Sequence, residues 1–88
     1  MPAARLGHVL IVDDKAVLAG VFASYLDRAG FYTTVTGDGL EAVDLARRLD
    51  PTVVILDLGL PGLAGVEVCR RIRTFSGPET FALGVGEC

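Results

Sequence analysis

Positions 9–14 read V-L-I-V-D-D, and positions 53–58 read V-V-I-L-D-L. Each is an unbroken aliphatic run that stops at acid: Asp13 and Asp14 close the first, Asp57 the second. A half-exposed strand would alternate apolar and polar residues. These runs do not, so each predicts a strand covered on both faces, as in a parallel sheet packed between helices. Strands are expected at residues 8–12 and 53–58.

The intervening sequence supplies the crossovers. Leu18, Val21, Phe22, Tyr25, Leu26 and Ala29 recur near the 3.6-residue period of an amphipathic helix, which Gly30 ends. F-Y-T-T-V at 31–35 is aromatic and β-branched, a second strand. Gly37-Asp38-Gly39 is a turn, and Asp38 with Glu41 has the spacing of a capping box. The helix it opens carries Leu40, Val43, Ala46 and Leu49 along one face and an Asp44–Arg48 pair at i,i+4. Asp50-Pro51 closes it. After a Leu60-Pro61-Gly62 loop, residues 66–73 form a short helix with Val68, Cys69 and Ile72 inward. Ser76-Gly77-Pro78 interrupts the pattern, and T-F-A-L-G-V at 80–85 reads as a weak fourth strand. Three strand–helix units in succession predict an α/β fold, a parallel sheet with right-handed crossovers between layers of helices.

Composition narrows the function. Eighty-eight residues make one small domain, which buries only about 60–65% of the surface its unfolded chain exposes. A hydrophobic content of 51% excludes a disordered tail. The aliphatic runs at 9–12 and 53–56 are far short of the ~20 residues a membrane span needs. Asp13 and Asp14 cut the first run before it could be a secretory signal. A net charge of −3 argues against a nucleic-acid surface. Cys69 and Cys88 are too few for a disulfide scaffold and have no metal-ligand set near them, so a reduced cytoplasmic setting is expected.

The acids carry the chemistry. In a parallel sheet all carboxyl ends share one edge, where ligands bind. Asp13, Asp14 and Asp57 therefore meet at one rim and repel one another unless a cation sits among them. Hard oxygen ligands suit Mg²⁺, and a carboxylate beside it is a candidate phosphoryl acceptor. Each residue also has an ordinary role. Asp13 or Asp14 could cap the first helix, Asp57 could be turn chemistry, and Lys15 a solvated charge at a helix start. Pro61 and Gly62 are common loop formers and Gly65 a common helix-entry residue. His8 is expected at the opposite edge of the sheet, away from the acids.

In combination, V-L-I-V-D-D and V-V-I-L-D-L-G-L-P-G-L-A-G (53–65) resemble the receiver domain of bacterial two-component response regulators, over roughly residues 8–76. The resemblance implies a flavodoxin-like, three-layer fold. It implies that Asp57 accepts a phosphoryl group from a histidine kinase. Asp13, Asp14 and Asp57 would hold Mg²⁺ with the backbone carbonyl of Gly59, and Pro61 and Gly65 would shape the loop presenting the site. Such a module is a phosphoacceptor rather than a turnover enzyme.

The chain departs from that pattern. Receivers have about five strand–helix units, against three and a fraction here. Their switch Ser or Thr would fall near positions 83–85, where no hydroxyl stands, and their late lysine has no counterpart because Lys15 is the chain's one lysine. Ala64 replaces a common Asp or Asn. The expectation is therefore a partial receiver over 1–76 with an atypical tail over 77–88, impaired in phosphotransfer. With a single helix on one face, apolar residues of the first and third strands would face water, another receiver or a second copy. The alternative function is a non-catalytic interaction or dimerisation module. A haloacid-dehalogenase-type phosphatase is disfavoured because the D-x-D it needs reads Asp57-Leu58-Gly59.

Overall fold

The computed structural model describes residues 5–57 and 65–75, together with the backbone of 80–83. The elements follow as β1 (Gly7–Val12), α1 (Ala16–Arg28), β2 (Phe31–Thr36), α2 (Gly39–Leu49), β3 (Val53–Asp57), α3 (Gly65–Arg73) and β4 (Thr80–Leu83). The sheet order is β2-β1-β3-β4, and every pairing is parallel. The fourth strand does join the sheet, with Val54 opposite Thr80 and Asp57 opposite Leu83.

The unbroken aliphatic character of β1 has a direct structural cause. Its successive side chains enter two different cores, as strand geometry requires. Leu10 and Val12 join Val54 and Leu56 of β3 beneath α2 and α3, where Ala42, Ala46, Val68, Cys69 and Ile72 complete the cluster. Val9 and Ile11 point the other way, onto Ala19, with Phe22, Ala23, Leu26, Phe31, Val53 and Ile55 around them. The result is three layers, with α1 on one face and α2 and α3 on the other.

Two helices turn differently from their hydrophobic periodicity. In α1 the inward row is Ala19, Phe22, Ala23 and Leu26, while Val21 and Tyr25 are exposed and align with the exposed Val17. The apolar arc of α1 is wider than the strip one sheet face can cover, so its flank is left out. In α2 the buried residues are Gly39, Ala42 and Ala46, and Leu40 is 60% exposed. Small side chains let the helix axis approach the sheet closely, and that approach rotates Leu40 outward. The third helix has Val68, Cys69 and Ile72 inward, as expected.

With α1 alone over this face among the described residues, Val9 and Ile11 are nevertheless fully buried. This corrects the expectation that the first strand would face water. β1 is flanked on both sides by β2 and β3, so α1 need cover only its centre line. Val53 and Ile55 of β3 lie farther from the helix axis and stay half-buried.

Local signals decide the ends. Gly30, at φ 104°, adopts a backbone that glycine tolerates best, and its carbonyl accepts from Leu6 N–H at 2.8 Å. The capping box at α2 is half direct and half relayed. Asp38 Oδ2 accepts from Glu41 N–H at 2.8 Å, whereas Asp38 N–H donates to Thr36 Oγ1 at 3.2 Å. The buried Thr36 hydroxyl in turn donates to Glu41 Oε1 at 2.6 Å. Asp38→Ala removes the cap and should cost about 1 kcal/mol in a urea melt; an unchanged midpoint would mean water replaces it fully. Asp50 ends the helix in the left-handed region at φ 46° and ψ 58°, which takes it off the helical path immediately before Pro51.

Candidate functional site

The strand order reverses between β1 and β3, since β2 lies on one side of β1 and β4 beyond β3. At such a point the crossovers leave in opposite directions and a crevice opens at the carboxyl ends. Asp13 and Asp14 directly follow β1, and Asp57 is the last residue of β3. One carboxylate oxygen from each can be chosen so that all three lie within 4.8 Å of one another. The adjacent pair Asp13 and Asp14, and Asp57, 43 residues beyond Asp14 in sequence, are therefore brought to one site.

Their environments differ. Asp13 is 8% exposed, Asp57 is half-buried and Asp14 is exposed. Asp13 is held from two directions, because its backbone N–H donates to the Thr36 carbonyl at 2.9 Å and its Oδ1 accepts from Lys15 N–H at 2.9 Å. The capping role open to Asp13 and Asp14 is not taken. Lys15 is the N-cap residue of α1, with no side-chain cap hydrogen bond. Both acids thus lie ahead of the cap.

Several predicted positions need separate account. Gly65 is the buried first residue of α3. Gly59 and Pro61 lie outside the described residues, as does Ala64. His8 lies at the opposite end of β1 from the acids, its Nε2 2.7 Å from Thr34 Oγ1.

Two site residues are not evident from sequence. Lys15, which reads as a solvated charge, places Nζ 3.6 Å from Asp57 Oδ2. Gly37 underlies the acid pair: a Cβ there would stand 3.2 Å from Asp14 Cα and 3.5 Å from the Asp13 carbonyl oxygen. Its only sequence signal is membership of the Gly37-Asp38-Gly39 turn, which does not tell which loop it touches. Beside the acids, Leu18, Phe22 and Ile55 line an apolar groove that continues from Asp57 and Lys15.

Three carboxylates held this closely form a hard-oxygen donor set with a net negative charge, which fits a divalent cation such as Mg²⁺. Asp57 lines the groove together with Asp13, so its carboxylate can be approached from there by an incoming electrophile.

Comparison with known proteins agrees with this fold. Residues 9–85 match the family described as response regulator receiver domain. The DNA-binding response regulator MtrA of Mycobacterium tuberculosis is 48% identical over 70 residues, covering 80% of this chain and 31% of MtrA. The uncharacterized transcriptional regulatory protein YkoG of Bacillus subtilis is 42% identical over 67 residues, 76% of this chain and 29% of that protein. The chain thus spans about a third of the length of these curated relatives. Among solved structures, the BeF3-activated receiver domain of Klebsiella pneumoniae RstA superposes with a TM-score of 0.80 at 27% identity, covering 85% of this chain and 64% of that one. Vibrio cholerae chemotaxis protein CheY4 gives 0.73 at 29% identity, covering 82% and 58%.

Proposed function

The chain belongs to the response regulator receiver domains, and from that premise we propose that it is the phosphoacceptor module of a two-component relay, with Asp57 the acceptor. The observation that carries this reading is the convergence of Asp57 with Asp13 and Asp14 within 4.8 Å at the point where the strand order reverses.

In the transfer, a carboxylate oxygen of Asp57 attacks the phosphorus of a phosphohistidine on the donor kinase. The P–O bond forms as the P–N bond breaks, and the electron pair returns to the imidazole, which takes a proton from solvent. Asp57 is fixed by its place at the end of β3, so the attacking oxygen needs little reorganisation. Asp13, oriented by Lys15 N–H, and Asp14 would hold Mg²⁺ together with Asp57. When bound, that ion would neutralise charge on the transferring oxygens.

On this reading the protein is a substrate that helps catalyse its own modification, not a turnover enzyme. Its partner is a histidine kinase, and the setting is cytoplasmic. No helix among the described residues is long and apolar enough to cross a membrane. MtrA is a DNA-binding response regulator; with a net charge of −3, we assign no nucleic-acid contact to this chain.

The test is direct. The chain is incubated with acetyl phosphate and Mg²⁺, and intact mass is followed for one added phosphoryl group that hydroxylamine removes. Asp13→Asn should weaken Mg²⁺ binding by about tenfold or more, through loss of one of three anionic ligands, and slow phosphoryl uptake in step. Calorimetric Mg²⁺ titration reads the first effect. Unchanged affinity would show that the acid pocket is not the metal site.

A further inference from the structure

One charged group at the pocket has no part in the transfer just described. Lys15 is tied by its backbone N–H to Asp13 Oδ1 at 2.9 Å. Its side chain reaches back over the same pocket and ends 3.6 Å from Asp57 Oδ2. The two ends of one residue thus engage two of the three acids. The Lys15 side chain is 68% exposed, whereas that of Asp57 is 22% exposed, so the flexible member of the pair is the cation.

This placement has an electrostatic reason. Three carboxylates within 4.8 Å repel one another, and an ammonium at 3.6 Å offsets part of that repulsion. Val12, Leu18 and Ile55 line the same groove as Asp57 and Lys15, and this apolar wall weakens screening on one side. A divalent cation held by the same three acids would bring two further positive charges into the space the ammonium now serves. The two cations are alternatives.

We propose that Lys15 is a tethered counter-cation of the acid pocket, pairing with Asp57 when no divalent ion is bound and lowering the affinity of the pocket for Mg²⁺. The inference rests on the reading of the acids as a divalent-ion site. It makes Lys15 a residue that sets the Mg²⁺ concentration at which the pocket fills. Because the long exposed stem can withdraw, the effect is bounded by the worth of a largely exposed ion pair. That corresponds to about a two- to fivefold change in dissociation constant.

The experiment is calorimetric titration of MgCl₂ into the full chain, for wild type, Lys15→Met, Lys15→Gln, Lys15→Arg and Asp13→Asn, at low and high NaCl. Lys15 makes no side-chain cap bond and is largely exposed, so its variants should fold and lose no more than the small worth of an exposed ion pair in a metal-free melt; Lys15→Gln serves as a second neutral variant. Both neutral variants should bind Mg²⁺ about two- to fivefold more tightly than wild type at low salt. Lys15→Arg should stay near wild type, and the gap should narrow at high salt. Equal or weaker binding by both neutral variants, with Asp13→Asn weakened about tenfold or more as expected of a lost ligand, overturns the role of Lys15 alone. Absence of binding in wild type and all Lys15 variants overturns the metal-site reading, and the proposal with it.

Discussion

Asp57→Asn should abolish phosphoryl uptake from acetyl phosphate, lowering the rate by at least about two orders of magnitude, while leaving the fold in place. The carboxamide is isosteric with the carboxylate but neutral and a far poorer nucleophile, so the P–O bond has no competent partner. It also removes one of the three anionic donors gathered within 4.8 Å, so Mg²⁺ affinity should fall with it. Stability should change little. Asp57 contributes its backbone to the ladder with β4, which the substitution preserves, and its ion pair with Lys15 is largely exposed on the lysine side. Such a pair is worth about 0–1 kcal/mol. Removing one member of a mutually repelling acid cluster acts in the opposite direction. Intact mass after acetyl phosphate treatment reads the first effect and a thermal melt reads the second. Phosphoryl uptake by Asp57→Asn at the wild-type rate would place the acceptor elsewhere. Partner binding and signalling output that are indifferent to the substitution would favour a module acting through binding alone.

Leu10→Ala is expected to destabilise the protein by about 3 kcal/mol, within the 2–5 kcal/mol that such truncations cost in buried sites. Leu10 is fully buried in the larger core, on β1 beside Val54 of β3 and beneath the helices α2 and α3. The cavity it leaves is bounded by Val54 and Leu56 on a sheet held by hydrogen bonds, which cannot collapse easily. A chain of 88 residues has a total stability on the order of 4–13 kcal/mol, so the loss is a large share. The melting temperature should fall by roughly 12–24 °C. Leu40→Ala is the matched control. Leu40 lies on the hydrophobic face that periodicity assigns to α2, yet it is 60% exposed, so the same chemical change should stay within about 0.5 kcal/mol. Equal losses at the two positions would mean that Leu40 is covered in solution.

That pair of leucines marks the boundary between what could be read from sequence and what could not. The strands were legible because burial on both faces removes polar alternation, and β1 and β3 carry that signature without interruption. The meeting of the acids was legible because parallel strands end at one edge, so Asp13, Asp14 and Asp57 had to share it once the sheet was parallel. Even the fourth strand was readable, despite Gly84, from the run beginning at Thr80.

Sequence alone determined the α/β class, the order of the elements and the identity of the acid trio, because each follows from local periodicity or from the direction of strands. The tertiary structure decided which side of each helix is inside. Helical periodicity gives the width of an apolar arc but not which part of it meets the sheet. For α1 the answer was Ala19, Phe22, Ala23 and Leu26 rather than Val21 and Tyr25. It also decided the contacts across loops. Gly37 beneath Asp14, the Thr36 relay to Glu41, and Lys15 against Asp57 all join residues from separate segments or turns. Their distances depend on how closely the elements pack, a quantity set by side-chain volume at the interfaces and invisible in spacing along the chain.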